Sequence, residues 1–590
     1  MDFIYDATHK AVLKLYQEDV SPSLINITDT RKEFNGQVTV VVFPITRFSK
    51  KSPEQTGTEI GEYLKNNVAE ITDFNVVKGF LNLSLSEEFF LKHFNEVISA
   101  DDFGQFPSNG KKVMVEYSSP NTNKPLHLGH VRNNLLGYSV SKLLEAYGYE
   151  VIKVNLVNDR GIHICKSMLA WQKWGNGETP ESSGLKGDHL VGKYYVIFDQ
   201  EYKKQIAQLK LEGLEEEQAK KTAPLIVEAQ HMLQKWEADD VSVMQLWNMM
   251  NEWVYAGFAV TYENLGVDFD KYYFESSTYL LGKDTVKEGL EKGVFFKKDD
   301  GSVWIDLTEE GLDQKLVLRA DGTSVYITQD LGTAKMKYDD FAMDESIYVV
   351  GNEQDYHFKV LFLILHKLGK SWANGLYHLS YGMVDLPNGK MKSREGTVVD
   401  ADELIESMVE TAREKSVELG KISDFSEQEK EELYKKIGLG ALKYFLLKVE
   451  PKKRLLFNPA ESIDFQGNTG PFIQYTHARI KSLLSKADYN SAKLNSKFSG
   501  IVEVELDMII LLAKYPAEVE IAAKAHSPAS LANYLYELAK LFNKFYHDVP
   551  PIIKTEEKDV KQFRLNLCKK TADVLNAGLS ILGINAPERM

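Results

Sequence analysis

The chain has 590 residues and a formal net charge of −15, with 43% hydrophobic and 26% charged residues. Because domains average about 150 residues, this length predicts several domains with ample hydrophobic core. The negative charge argues against a protein that coats nucleic acid or acidic membranes nonspecifically, although a local basic face could still dock RNA.

The only cysteines, Cys165 and Cys568, stand far apart in the sequence. That spacing excludes a disulfide framework and a cysteine-rich zinc site, and it fits a reducing, cytoplasmic environment. No apolar run approaches ~18 residues and the N-terminus has no signal-peptide pattern, so we expect neither a membrane span nor export. We also expect no metal site built from protein side chains.

The first region, residues 1–108, predicts a small α+β module. It combines a first helix with strands near Val38–Val42 and Gly79–Leu85 and a helix at Gly57–Asn67. Residues Asp101–Gly110 are rich in Asp, Gly, Pro, Ser and Asn, a composition that ends regular structure. Composition alone leaves open whether this module binds a partner or is a structural addition.

A strand, a polar loop and a helix follow this module. The strand Lys112–Tyr117 has the continuous apolar centre of a parallel strand buried on both faces. After the loop, His127 and His130 fall on the first turn of a helix, where unpaired N–H groups favour phosphate. Gly129 between them lets a base or ribose approach the backbone. Taken alone, two histidines three residues apart fit an ordinary polar helix start equally well.

Two strand–helix–strand halves are predicted around a long insertion. Strand Glu150–Val157 completes the first half, and a mostly helical insertion spans residues from about 160 to 320. The second half consists of the strand Ser346–Gly351, the helix Tyr356–Leu368 and the strand Leu376–Val384. The fold class is therefore α/β, with a doubly wound parallel (Rossmann) domain.

This domain covers residues 109–400. Ligands in doubly wound sheets bind at the carboxyl ends of the strands, which here gathers Glu116, Asn121 and Gln354 into one crevice. The sequence contains neither G-x-x-x-x-G-K-[ST] nor G-x-G-x-x-G. Neither a P-loop kinase nor a dinucleotide enzyme is therefore favoured. The phosphate chemistry must then rest on His127 and His130 at the start of the helix, which we call the histidine corner.

The rest of the chain predicts a helical connector at residues 401–455 and an all-helical domain at residues 456–590. The domain should contain helices at Ile501–Ala525, Ser530–His547 and Lys561–Leu582. Phe472 and Tyr475 lie one helical turn apart; such pairs are more often core than a platform for unpaired bases, although both readings are open.

The segment SSPNTNKPLHLGH, ending at His130, resembles the HIGH signature of class I aminoacyl-tRNA synthetases, and the arginyl-tRNA synthetases in particular. DGTSVYITQD at Asp321–Asp330 and the ending Ala586–Met590 are similar to segments of that family. GKMKSREGT at Gly389–Thr397 resembles the KMSKS loop, which clamps ATP phosphates. Resemblance thus covers nearly the whole chain.

The resemblance implies activation of L-arginine by ATP, which brings Mg²⁺ with it, and transfer of the arginyl group to tRNA(Arg). It implies that bound tRNA is required for activation, that the protein is a monomer, and that the N-terminal module contacts the tRNA elbow. The implied catalytic residues are His127, His130, Lys390 and Lys124. The implied ATP-binding residues are His127, Gly129, His130, Lys390, Met391, Lys392, Ser393 and Arg394.

The same resemblance implies the residues that hold the amino acid and the tRNA. Those for arginine are Glu116, Ser119, Pro120, Asn121, His130, Tyr326, Asp330 and Gln354. Those for tRNA are Phe472, Tyr475, Tyr546 and Met590. A planar, permanently charged guanidinium needs carboxylates placed for forked hydrogen bonds, which Glu116 and Asp330 can provide.

Three alternatives remain open. Ser393 stands where many class I synthetases have a second lysine, so either Lys124 or Lys392 must supply the charge. Another class I synthetase is the nearest enzyme alternative, although two distant cysteines cannot build the zinc site that cysteine activation would want. A catalytically silent, synthetase-like tRNA-binding protein is the third, and it would have no need of His127, Gly129 and His130.

Overall fold

The computed structural model describes residues 2–31, 33–385, 399–420, 424–487, 489 and 500–590. The chain forms two compact units. The first contains Met1–Phe103, Leu483–Lys514 and Leu541–Thr571, and the second contains Gly104–Ser482, Tyr515–Lys540 and Ala572–Met590. The predicted four-part division into domains stays a prediction. Within the described ranges, every helix is too short or too polar to cross a lipid bilayer.

The N-terminal part of the first unit is a four-stranded antiparallel sheet with helices, in the strand order β1-β2-β4-β3. Its elements are α1 (Asp2–Tyr16), β1 (Asn26–Asp29), β2 (Val38–Val41), α2 (Thr46–Ser49), α3 (Pro53–Asn67), β3 (Ile71–Val77), β4 (Phe80–Leu85) and α4 (Glu87–Ser99). Lys78 and Gly79, both at positive φ, form the two-residue turn between β3 and β4, as tight hairpins require. The expected strands and helix are present, although the helix α3 begins earlier than predicted because Ser52 and Gln55 cap it.

The second unit begins with the first half of a parallel sheet and the long insertion. Its first elements are β5 (Lys112–Glu116), α5 (Leu128–Ala146), β6 (Glu150–Val157), α6 (Ile162–Trp174), α7 (Pro180–Ser183), α8 (Gly187–Leu211), α9 (Glu216–Thr222), α10 (Pro224–Glu237), α11 (Val241–Leu265), β7 (Lys271–Phe274), α12 (Glu275–Thr278), α13 (Lys283–Glu291), β8 (Phe296–Lys297), β9 (Val303–Ile305) and β10 (Lys315–Leu318). The insertion is helical up to α11, as expected, and β8, β9 and β10 form a small antiparallel sheet that the sequence did not predict.

The second half of the sheet and the helical C-terminal region complete the chain. These elements are α14 (Tyr326–Phe341), β11 (Glu345–Gly351), α15 (Asp355–Lys367), β12 (Leu376–Tyr381), β13 (Val384–Asp385), α16 (Ala401–Leu419), α17 (Glu427–Leu447), β14 (Leu455–Leu456), α18 (Pro459–Ser462), α19 (Gly470–Lys486), α20 (Glu503–Ala513), α21 (Tyr515–Lys524), α22 (Ala529–Asp548) and α23 (Lys558–Ile581). The helix expected at Ile501–Ala525 is in fact two helices, because Pro516 lacks the N–H that a continuous helix would need.

The central sheet is parallel, with the order β12-β11-β5-β6-β7. Val113 and Val115 of β5 are fully buried, as expected of a strand covered on both faces. The doubly wound α/β prediction is therefore confirmed, with β7 as an additional edge strand. The strand expected at Leu376–Val384 instead ends at Tyr381, and β13 pairs with β14 outside the sheet. At Gly382 the backbone N–H donates to the Pro451 carbonyl at 2.9 Å instead of to the sheet, and the backbone of Lys453 lies so close that a side chain would not fit.

Candidate active site

The histidine corner caps the helix α5 with its own side chains. His127 is the N-cap residue, and its Nδ1 accepts a hydrogen bond from the Gly129 N–H at 3.1 Å. Its own N–H donates to Nδ1 of His130 at 3.2 Å, and the two ring centroids are 3.9 Å apart. Because both Nδ1 atoms accept, each neutral ring carries its proton on Nε2. The corner therefore retains two ring N–H donors for an anion.

Burial keeps these rings uncharged in the free protein. It lowers the pKa of His127 to about 4, helped by the nearby Lys124 and opposed by Asp400. Burial also lowers the pKa of His130 well below its ordinary value, with His127 and Lys124 adding to the effect. Lys124, whose own pKa burial lowers, is thus the cation of this corner. An arriving phosphate would raise the pKa of both histidines, since it favours their charged forms.

A cavity of about 330 Å³ lies at the carboxyl ends of the strands. Six of the eight residues expected to hold arginine line it, namely Glu116, Ser119, Asn121, Tyr326, Asp330 and Gln354. Pro120 and His130 do not line it. Tyr326, Asp330, Thr333 and Lys337 follow one another at helical spacing along one face of α14. The cavity has the size of a small-molecule site.

Two ion pairs cross the lining of this cavity. The carboxylate of Glu116 accepts a hydrogen bond from the ammonium of Lys337, and both side chains are buried. Burial lowers the pKa of Lys337, but the Glu116 charge and hydrogen bond, together with Tyr348 and Asp330, raise it overall. The Asp330 carboxylate lies 2.6 Å from Nε2 of His357. Glu116 therefore already has a buried ammonium as its counter-charge, whereas the hydrogen-bond partner of Asp330 is a histidine ring.

Glu275 is a third carboxylate in the lining, at the end of the edge strand β7. Among the described residues, its side chain has no hydrogen-bond or ion-pair partner. Burial raises its pKa to about 7, with Arg160 opposing and with Asp330 and Asp159 adding to the shift. A half-buried carboxylate that is shielded from water and has no hydrogen-bond partner is costly, so this position favours a cationic ligand.

The loop after β5 is held in a strained conformation. Ser118 and Ser119 have φ values of 76° and 46°, a region that non-glycine residues rarely occupy. The Ser118 N–H donates to Asn133 at 2.5 Å, and the Ser119 N–H donates to Asn155 at 3.1 Å. The Tyr262 hydroxyl lies 2.7 Å from Ser118 Oγ and accepts from Asn155 at 3.1 Å. This buried network sets the path of the loop that carries Ser119 and Asn121 to the cavity.

The other expected site residues either are outside the described part of the chain or do not line this cavity. Lys390, Met391, Lys392, Ser393 and Arg394 fall outside the described residues. Phe472 and Tyr475 are half-buried on α19, where the Phe472 ring is 5.5 Å from that of Tyr536 and the Arg479 guanidinium is 4.9 Å from the centre of the Tyr475 ring.

The other two residues expected to bind tRNA are accessible. Tyr546 is 41% exposed, and Met590 is partly exposed. A role of any of the four in tRNA binding stays a prediction.

Sequence reasoning missed six residues that build the site, namely Asn133, Asn155, Tyr262, Glu275, Lys337 and His357. Lys337 could have been found, because it lies two helical turns after Asp330 on the same face. No sequence pattern indicated that Glu275 belongs to the site, because the short strand before it, KYYF, has no apolar run typical of a buried strand.

Comparisons with known proteins agree with this geometry. The family model described as tRNA synthetases class I (R), catalytic domain, matches residues 94–458, and the DALR anticodon binding domain matches residues 473–590. Arginine–tRNA ligase of Flavobacterium psychrophilum is 57% identical over 590 residues, covering 97% of each chain. The Parabacteroides distasonis enzyme of that name is 56% identical over 584 residues, covering 98% of each. The structure of Thermus thermophilus arginyl-tRNA synthetase is similar with a TM-score of 0.80, at 25% identity over the full length of both chains.

Tyr262→Phe should weaken arginine binding, because it removes the hydroxyl that joins Ser118 to Asn155 in the strained loop. We expect a loss of about 1 kcal/mol in arginine binding, roughly a fivefold rise in Kd by calorimetry. Tyr194→Phe is the matched control, because it removes a tyrosine hydroxyl that binds Glu178 in the same insertion. Equal effects of the two substitutions would contradict a role of this network in the site.

Proposed function

The chain belongs to the arginyl-tRNA synthetases, the class I enzymes that ligate arginine to tRNA, and we propose how its residues divide that reaction. The reaction activates L-arginine with ATP and transfers the arginyl group to tRNA(Arg) for protein synthesis. The observation that carries the proposal is the cavity in which Glu116, Asp330 and Glu275 face one another. Its test is pyrophosphate release from ATP, measured with and without arginine and with and without tRNA(Arg).

We assign the guanidinium to Asp330 and Glu275. A guanidinium presents five N–H donors in a plane, so two carboxylates on different elements can each accept a pair of them. Asp330 comes from α14 and Glu275 from the end of β7, which supports such an arrangement. Tyr326, 77% exposed in the free protein, would cover the mouth of the cavity when arginine binds.

We assign the amino and carboxylate end of arginine to the opposite part of the cavity. Glu116, Ser119 and Asn121 belong to β5 and to the loop that leads to the histidine corner, and Gln354 follows β11. The Lys337 ammonium already balances the Glu116 charge. We therefore assign the α-ammonium group of arginine to Glu116 and leave the guanidinium to Asp330 and Glu275. The arginine carboxylate would then point toward the ATP phosphates.

The activation step is proposed to depend on His127, His130 and Lys124. The arginine carboxylate attacks the α-phosphorus of ATP, pyrophosphate leaves, and negative charge on the phosphate oxygens is stabilised by the two Nε2–H donors and by the Lys124 ammonium. The donors of this corner suit phosphate oxygens and not a cation, so Mg²⁺ would arrive with the nucleotide. Its charge would further stabilise the phosphates.

The remaining assignments rest on family membership. We propose that Lys390, Met391, Lys392, Ser393 and Arg394 contact ATP, that bound tRNA is required for activation, and that the N-terminal module contacts the tRNA elbow. Phe472, Tyr475, Tyr546 and Met590 are proposed to bind tRNA. A monomeric state and a cytoplasmic location also stay predictions.

Asp330→Asn should lower arginine affinity much more than ATP affinity, because it removes one charged partner of a desolvated guanidinium. The loss should be about 2–5 kcal/mol for arginine and close to zero for ATP, measured by calorimetry. Asp339→Asn is the control, since Asp339 lies on the same helix in an exposed pair with Lys335. Equal losses for both ligands in the Asp330 variant would refute the pocket assignment.

Arginine affinity should rise with pH through about 7, the raised pKa of Glu275. The raised pKa means that Glu275 is protonated below this pH, and a bound guanidinium requires the ionised form, so binding releases a proton. Affinity should fall by up to tenfold per pH unit below 7 and level off above it. Glu275→Gln should remove this rise near pH 7, and a variant that keeps the full dependence would assign it to another group.

Lys124→Met should slow tRNA-dependent adenylate formation by about 10²–10³ with little change in arginine binding, because a preorganised charge at the phosphates is lost. Lys392→Met should have a weak effect. Single-turnover measurement of adenylate compares the two variants. If the Lys124 variant keeps its rate and the Lys392 variant is inactive, then Lys392, and not Lys124, supplies the positive charge that is missing at Ser393.

A further inference from the structure

Arg132 is a fully buried arginine on α5, two residues beyond His130. Its Nη1 donates to the carbonyl oxygens of Gly382 at 2.8 Å and Met383 at 3.4 Å. Its Nη2 donates to those of Pro451 at 3.1 Å and Lys453 at 2.9 Å. Among the described residues no carboxylate pairs with it, and burial lowers its pKa to about 10. A buried cation that binds only backbone carbonyls is an expensive way to fill a core, so a purely packing role does not account for it.

The four carbonyls belong to the residues just before the two short strands outside the central sheet. Gly382 and Met383 lead into β13, and Pro451 and Lys453 precede β14. The strands pair through only two residues each, with Val384 opposite Leu455 and Asp385 opposite Leu456. Two strands of this length are not stable alone, so their place depends on what holds them. Arg132 fastens both of them to the helix that begins at the histidine corner.

The chain returns to the same helix after residues 386–398. The Leu128 N–H donates to the Val399 carbonyl at 3.1 Å, and the Ala401 N–H donates to the Leu126 carbonyl at 3.0 Å. His127 and Asp400 therefore face each other in an antiparallel bridge. We call residues 382–385 the first flank and residues 399–402 the second flank of residues 386–398. Both flanks are thus bonded to α5 or to the residues just before it.

Ion pairs from the insertion reinforce the second flank. Asp400 caps α16 through the N–H groups of Asp402 and Glu403. Nε2 of His189 lies 3.2 Å from Asp400 and 3.3 Å from Asp402, and the Lys186 ammonium also pairs with Asp402. The two nearby aspartates raise the pKa of His189 to about 10, so it is charged at neutral pH. The first flank has no such cluster in the described part of the chain, which leaves Arg132 as its main fastening to α5.

We propose that Arg132 is a positioning residue for arginine activation: it fixes the backbone of residues 382–385 against the helix that carries His127 and His130. This proposal rests on the proposed function, in which groups from both parts of the chain act on the same phosphates. Arginine suits the task because its planar fork reaches four carbonyls on two strands, which the single ammonium of lysine cannot do. A displacement of about 1 Å at reacting groups can lower a rate by about 10²-fold, so a residue that never touches substrate can control kcat.

The test compares Arg132→Lys and Arg132→Met with Arg454→Met as the control. Arg454 pairs with Asp385 of β13 but is exposed, so its loss removes an ion pair from the same strands without removing their fastening to α5. For each purified full-length variant, single-turnover adenylate formation is measured with saturating arginine, ATP and tRNA(Arg). Arginine affinity is measured by calorimetry, and folding is followed by thermal denaturation.

Arg132→Lys should keep the charge and lose most of the carbonyl contacts. We expect its adenylate rate to fall by about 10- to 10²-fold while the Kd for arginine stays within about twofold, since the arginine cavity does not include Arg132. Arg132→Met should be slower still, and Arg454→Met should match the unmodified protein. If Arg132→Met does not fold, the lysine variant alone decides.

An unchanged rate in Arg132→Lys would overturn the proposal. A rate that falls only in proportion to arginine affinity and thermal stability would also overturn it, since that is the signature of a general packing defect. Failure of the unmodified protein to form adenylate at all would instead overturn the proposed function, and with it this inference.

Discussion

The hydrogen bonds by which the rings of His127 and His130 cap α5 are the interaction on which the rest of the site depends. Each ring uses Nδ1 to satisfy a backbone N–H at the start of α5, which leaves Nε2–H free. The cap thereby satisfies two backbone N–H groups at the helix N-terminus. It also orients the two Nε2–H donors that we propose bind the phosphates. Every other part of the site is arranged with respect to this turn, through Asn133 to the loop after β5 and through Arg132 to residues 382–385.

Charge is distributed so that a cation and an anion can bind side by side. The histidine corner holds one ammonium and two neutral rings, whereas the arginine cavity holds three carboxylates against one ammonium and one imidazole. The pKa of Glu275 is raised to about 7 because the surrounding protein shields its carboxylate from water and no described residue hydrogen-bonds to it. Arginine would supply the counter-charge that this cavity lacks, which explains in physical terms why a cationic amino acid fits it.

The sequence predicted the parts of the fold that depend on local patterns. Buried apolar runs marked β5, β6 and β11, and helical spacing marked α5 and α15, so the doubly wound sheet and its crevice followed. Six of the residues that motif resemblance implied for arginine line the cavity, and their role in binding arginine stays a prediction. Glu275 was missed because β7 is short and aromatic, and its place at the sheet edge is set by the helices of the insertion that precede it.

Long-range pairings were the part that local patterns could not show. The ion pair of Glu116 with Lys337 joins residues 221 positions apart in the chain, and the contacts of Arg132 reach residues 250 to 321 positions away. Nothing in the local sequence indicates that Glu116 is already neutralised, or that an arginine inside an apolar helix binds carbonyls. The division of roles between Glu116 and Glu275 therefore needed the three-dimensional arrangement.

The proposal that Asp330 and Glu275 bind the guanidinium is tested most directly by comparing arginine with citrulline in tRNA-dependent pyrophosphate release. Citrulline has the shape of arginine but replaces the charged guanidinium by a neutral urea group, so it cannot form charge-assisted pairs with Asp330 and Glu275. We predict that citrulline supports the reaction at least about 10³-fold less efficiently than arginine, because both carboxylates would be left without their cation. Comparable kcat/KM values for the two amino acids would contradict it.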